Sequence, residues 1–259
     1  MKLDNKENSN YYYVSNPRRF TGVSVLKNDI QKVIEFAYAM CFGEGHHRAN
    51  RTGGHYARKA GEKFCNTFQG KLAEQMLYNY FISQGLKVQE PDFRILDVGA
   101  WDDSDLEING IKINIKSVAS QSNLLLLETR DWDQHGRYLP NVSLNNGSTI
   151  QYDYFILVRI NPDIKKLFQS KIMYHSNNIA KADIEKLISE NIWSYDIAGY
   201  CTNQNIIEAI ADDCILPQNS ILNNYTSMDA ENYYIQSGDM GIISDLVVEL
   251  RSNRHKIKN

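Results

Sequence analysis

Over the first third of the chain, apolar residues recur at helical spacing. Ile30, Val33, Ile34, Ala37, Tyr38 and Cys41 share one face of an amphipathic helix, with Asn28 placed to cap it and Gly43 to end it. A second helix carries Ala73, Met76, Leu77, Tyr80 and Phe81 on its buried stripe, with Glu74 beside the stripe and Gly85 as the stop signal. From Leu86 the period changes to that of strands. LKVQ, FRILDV and the run SDLEINGIKINIKS over 104–117 follow one another, and after a loop-rich stretch comes the strongly apolar YDYFILVRI over 152–160. Helical spacing returns around 180–190 and 204–211, and at Ile242, Ile243, Leu246, Val247 and Leu250. There are no internal repeats and no heptads. The order helix, strands, hairpin, connection, strand predicts an α/β (α+β) fold with a central mixed β-sheet flanked by helices.

Residues 1–22 are polar and Asn-rich apart from Tyr11, Tyr12 and Tyr13, and read as a loosely held arm. Residues 43–63, GEGHHRANRTGGHYARKAGEK, hold five glycines and five Lys or Arg, which makes them a basic loop. The chain divides on this reading into an N-terminal arm, helix and basic loop (1–67), a central core (68–175) and a C-terminal helical and mixed region (176–259) packed on the same domain. At 259 residues it is long enough to bury a sizeable core as one unit. With 42% hydrophobic and 23% charged residues, folding is the default. The net charge of −3 gives no global pull toward a polyanion, so nucleic acid would have to be met by local basic patches. Cys41, Cys65, Cys201 and Cys214 are widely spaced, with no CxxC pair and no secretory leader before them, which predicts reduced thiols and a cytoplasmic location. The longest apolar runs are far too short to span a bilayer, so no membrane role is expected.

The informative stretch is SDLEINGIKINIKS. Asn109-Gly110 between two alternating runs predicts a two-residue type I′ hairpin, because that turn needs positive φ at both central positions. The loop length fixes the register: Ile108 faces Ile111, Glu107 faces Lys112, Leu106 faces Ile113 and Asp105 faces Asn114. The two-residue side-chain period then puts Leu106, Ile108, Ile111, Ile113 and Ile115 on one face, and Asp105, Glu107, Lys112, Asn114 and Lys116 on the other. Glu107 and Lys112 near the turn are adequately explained as a cross-strand surface pair. Asp105 and Asn114 differ: their Cβ atoms should lie roughly 5 Å apart, with Lys116 about 7 Å away on the diagonal. A carboxylate and an amide oxygen are hard ligands for a divalent cation, and a lysine beside them can contact a phosphate. On the residues alone, a face left to water is the plainer account.

A helix carrying Glu74, a strand, Asp105, and then Asn114-Ile115-Lys116 after nine residues resembles the PD-(D/E)xK nuclease superfamily, especially type II restriction endonucleases. The resemblance covers roughly residues 68–160. It implies a restriction-endonuclease-like core and Mg²⁺-dependent hydrolysis of phosphodiesters in double-stranded DNA. Asp105, Asn114 and the Ile115 carbonyl would hold the Mg²⁺. Lys116 would act on the attacking water and the transition state, and Glu74 on a further water or ion. It further implies a homodimer in a prokaryotic cytoplasm. Asn114 stands where the family usually has Asp or Glu, which shifts the burden of metal binding to its neighbours. The proline before the first acid is absent. Pro91-Asp92 lies outside the hairpin register, and Asp92 and Asp97 are second choices to Asp105.

For DNA contacts, Arg48, Arg51, Arg58 and Lys59 on the Gly-rich loop suit a phosphate track. Arg130, Gln134 and Arg137, in ETRDWDQHGRYLPN, are side chains that can read base edges in a groove. His46, His47, Asn50 and His55 offer a histidine-metal alternative, but no cysteine pair accompanies them. Ser117, Ser120 and Ser122 lack the sharp Gly-flanked turn that a nucleophilic serine occupies, and no GxxxxGK[ST] loop is present, which argues against a serine hydrolase and a P-loop NTPase. Two alternatives stay open: a repair or junction-resolving nuclease of the same superfamily, and a DNA-binding protein that does not cut.

Overall fold

The structure, a computed structural model, describes residues 2–6, 9–43, 58–94, 105–140 and 149–253. In chain order its strands are β1 (Asp4–Asn5), β2 (Tyr11–Tyr13), β3 (Val23–Ser24), β4 (Leu106–Ile108), β5 (Ile111–Ala119), β6 (Leu124–Glu128), β7 (Arg137–Tyr138), β8 (Ile150–Gln151), β9 (Tyr154–Asn161), β10 (Ser194–Thr202), β11 (Ile215–Leu216), β12 (Ile221–Leu222), β13 (Thr226–Ser227) and β14 (Asn232–Gln236). The helices are α1 (Lys27–Phe42), α2 (Ala60–Ser83), α3 (Ile164–Ser170), α4 (Lys181–Ser189), α5 (Asn203–Ala211) and α6 (Ile243–Asn253). The fold is mixed α/β.

A five-stranded sheet in the order β3-β10-β9-β5-β4 forms the frame. β5 runs parallel to β9, and the other pairs are antiparallel, so the sheet is mixed as the pattern predicts. β9 is apolar almost throughout because both of its faces are covered. Tyr154, Ile156, Val158 and Ile160 meet helices α1, α2, α4 and α6, where Phe64, Phe68, Leu72 and Leu77 of α2 are fully buried. Burying one such side chain is worth about 1.5–3 kcal/mol, so α2 is the main clamp on this face. Phe155 and Leu157 face the other way, against Leu125 and Leu127 of β6, Trp132, and Ile206 of α5. β6 pairs with β14, and β14 with β11, to make a second sheet over that side.

Four expectations change. The 1–22 segment is not a loose arm: β2 pairs with β12, and Gln236 Oε1 accepts from the Ser15 and Asn16 amides at 2.8 and 3.0 Å. Periodicity cannot see such bonds, because they join the two ends of the chain. LKVQ is not a strand; Leu86 and Val88 reach the core from irregular backbone. Asn28 lies in the first turn of α1, whose N-cap is the extended Leu26 with no side-chain cap bond. α2 begins at Ala60, inside the segment expected to be basic loop, because Asn177 Oδ1 and the Ser176 carbonyl take its first amides. The five-stranded sheet draws β3, β5 and β10 from the three sequence segments alike. No helix among the described residues is long and apolar enough to cross a membrane.

Candidate functional site

The hairpin forms in the expected register. Asn109 and Gly110 adopt φ of 53° and 82°, and the partners are Leu106 with Ile113, Glu107 with Lys112, and Ile108 with Ile111. Alternation along β5 sends Ile113 into the core under α2 and turns Asn114 and Lys116 toward the opposite side, beside Phe155 and Leu157 of β9. Asp105, just before β4, reaches across the ladder. Its Oδ2 accepts from the Ile115 amide at 2.6 Å. The backbone of Lys112 bonds toward Asp153, on the β9 side, so by alternation Ile115 turns its amide and its carbonyl toward Asp105. A carboxylate, an amide side chain and a main-chain carbonyl therefore lie at one sheet edge.

Asn114 is 7% exposed, and its Oδ1 is buried without a hydrogen-bond partner. Leaving such an oxygen unsatisfied costs about 1–3 kcal/mol. A hard cation would satisfy it, and Asp105, Asn114 and Ile115 together offer only oxygen donors, which is the donor type Mg²⁺ prefers. Among the described residues no three Asp, Glu, His or Cys side chains are grouped to hold a metal ion. The hairpin set brings one carboxylate, one amide and one carbonyl instead.

Burial pushes the Lys116 pKa below the usual lysine value, and Asp105, Asp131 and Glu128 pull it back upward. Glu128 and Asp131 are residues the sequence reading missed. Glu128 ends β6 and Asp131 closes the single turn after it, and only the tertiary fold carries them to Lys116. The one available signal was a glutamate closing the apolar run LLLLE.

Glu74 is on α2, the helix that covers the opposite side of the sheet from Asn114 and Lys116, and it forms an ion pair with Lys71. Asp92 is engaged by Arg94 through its side chain and backbone, which holds its carboxyl down to about 2. Arg130 pairs with Glu128 and lies 3.9 Å from Asp131. Arg137 pairs with Asp133 at 2.7 Å. These two arginines, expected to face DNA, are thus engaged by acids near them in the chain. Gln134 is exposed, as is Lys59 at the N-cap of α2. Arg58 is partly buried, with its Nε lacking a partner. Arg48, Arg51, His46, His47, Asn50, His55 and Asp97 lie outside the described residues.

No family model, curated protein or solved structure matches the chain.

Proposed function

We propose that the protein is a Mg²⁺-dependent, sequence-specific double-stranded DNA endonuclease of the type II restriction kind, built on a restriction-endonuclease-like core. The observation that carries this reading is the buried, unpartnered Asn114 Oδ1 on the same edge and face as Asp105 and beside Lys116. Helix α2 on one face, followed by a hairpin with the acid on one arm and Asn-Ile-Lys on the other, supports it, since that is the order the resemblance implies.

A Mg²⁺ held by Asp105, Asn114 Oδ1 and the Ile115 carbonyl would supply Lewis acidity and a lowered pKa for a bound water. Lys116 orients the attacking water and stabilises the charge that develops on the scissile phosphate. Its partly desolvated setting makes that interaction stronger than it would be in water. The charges of Asp105, Asp131 and Glu128 favour the ammonium form against the burial that opposes it. Phe155, Leu157, Leu125 and Leu127 wall the site with apolar surface. Cutting both strands of a palindrome calls for two symmetric sites, hence a homodimer, and a prokaryotic cytoplasm as its location.

A second reading, a DNA-binding protein that does not cut, is favoured by the neutral Asn114 and by the commitment of Asp105 Oδ2 to the Ile115 amide. Plasmid nicking with and without Mg²⁺ separates the two. The endonuclease reading expects cutting only with Mg²⁺ and a loss on the order of 100-fold or more in Lys116→Ala. Undiminished cutting by Lys116→Ala would sink the site assignment, and DNA binding without any cutting by the wild type would favour the second reading.

A further inference from the structure

Two residues past Asp131, one of the acids that faces Lys116, the chain makes a tight loop whose backbone is almost fully tied down. Leu139 donates to the Asp131 carbonyl at 2.9 Å, and Asp133 donates to the Arg137 carbonyl at 3.1 Å. The Asp133 carboxylate closes the loop from inside. Its Oδ1 accepts from the His135 and Arg137 amides, both at 2.9 Å, and its Oδ2 from Arg137 Nε at 2.7 Å. Gly136, at φ 65°, is buried, and its carbonyl accepts from Asn203 Nδ2 of α5 at 3.0 Å. A Cβ on Gly136 would meet that same nitrogen at 3.0 Å, so the loop sits flush on α5.

The side chains this loop presents outward are Gln134 and His135, both exposed. They are not independent: their Nε2 atoms lie 3.3 Å apart. An amide nitrogen carries only donors, so with the His135 ring in the tautomer that leaves Nε2 unprotonated, Gln134 donates and the ring accepts. That bond uses one amide hydrogen and fixes the plane of the group. The second amide hydrogen and Oε1 of Gln134 are left as a donor and an acceptor side by side. Adenine in the major groove presents the complement, an N7 acceptor beside an N6 donor.

We propose that Gln134, oriented by His135 on this braced loop, reads an adenine of the DNA recognition site, an inference that rests on the DNA binding proposed above. Arg137 braces the loop through Asp133, and Arg130 is engaged by Glu128 at the end of β6, so neither is left free to read bases.

The test is selection from a random-sequence duplex pool with Mg²⁺ withheld, using the wild-type protein, Gln134→Ala and Gln134→Glu, with plasmid nicking run beside it. The wild type should enrich sites with one fixed adenine. Gln134→Ala should lose preference at that position about tenfold or more while the other positions hold, and Gln134→Glu should move it toward cytosine, whose N4 donates to a carboxylate. A merely structural residue would not redirect the choice of base. Enrichment identical in wild type and Gln134→Ala overturns the inference, as does a wild type that selects no sequence. A wild type that selects adenine through Gln134 yet never nicks leaves the inference standing and removes the nuclease reading. One that nicks with a preference indifferent to Gln134→Ala does the reverse.

Discussion

Two cations, one buried and one half-buried, sit on the same face of the same sheet, on neighbouring strands, in opposite circumstances. Arg159 of β9 is 1% exposed, and all five of its N–H donors are used. Asp196, its cross-strand partner on β10, takes two, at 2.8 and 2.6 Å. The Arg18 and Arg19 carbonyls and Asn123 Oδ1 take the rest, at 2.7, 3.0 and 2.8 Å. Lys116 of β5, opposite Leu157 and so one diagonal step away, is held by longer-range attraction to three carboxylates against an adverse desolvation, next to an Asn114 oxygen with no partner. The first arrangement is complete without anything added. The second has capacity left over. A charge whose bonds all close within the chain ties the chain together, whereas one whose surroundings leave it poorly solvated and its neighbour unsatisfied is poised for something from outside.

The contrast is broken most severely at Arg159. Arg159→Ala strands Asp196 in the core and should cost about 3–5 kcal/mol by urea denaturation, whereas Arg159→Met paired with Asp196→Leu should recover most of the loss. If the single variant unfolds no more easily than the wild type, the arginine is not the tie described. Lys116→Met should lose cutting by about 100-fold or more and yet melt no lower than the wild type. The sign follows from the downward shift. The cost of burying the ammonium is present at neutral pH and disappears as pH rises through the folded pKa toward the ordinary value of about 10.4, so any gain from Lys116→Met shrinks in alkaline buffer.

Asn114 sharpens the same point. Asn114→Leu removes an orphaned oxygen and should leave thermal stability equal or higher while abolishing Mg²⁺-dependent nicking. Asn114→Asp, which adds ligand charge, should lower the Mg²⁺ concentration for half-maximal cutting by roughly tenfold. Acid should loosen the 133–137 loop. Burial raises the Asp133 carboxyl, but the amides and guanidinium around it outweigh that and hold it below the usual value. The loop's stability is therefore present above about pH 4 and is lost as pH falls through the folded pKa, readable as faster amide exchange at His135 and Arg137. The smallest effect belongs to Glu107→Ala near the turn: a stability change within about 0.5 kcal/mol and no change in cutting.

How much of this was legible depended on how local its cause was. Asn109-Gly110 and the period of two specified the hairpin down to its register, because turn and strands are adjacent in sequence. β9, α4, α5 and α6 were equally plain from their apolar spacing. LKVQ misled because Leu86, buried, and Val88, half-buried, pack against the helical core without a strand partner. The N-terminal segment looked loose because the groups that hold it, Gln236, Arg159 and β12, are far along the chain. Within the site, Asp105, Asn114 and Lys116 followed from register, but Glu128 and Asp131 join them only through the packing of β6. Arg130 and Arg137 were visible as cations, and their acid partners were equally visible in the same loop. What sequence could not give was which charges would spend themselves on each other.

The pairing of β6 with β14 sets a schedule for the chain's making. The hairpin with Asp105 and Lys116 can zip up as soon as it leaves the ribosome, but the strand that covers it stays unpaired until residues 232–236 have been synthesised. Leu3 likewise waits for Tyr234, whose hydroxyl accepts its amide at 2.9 Å. Contacts this distant are slow to close. An emerging polypeptide therefore carries this edge without a finished roof from the moment the hairpin is made until residue 236 is in place, and the molecule becomes whole nearly all at once at the end.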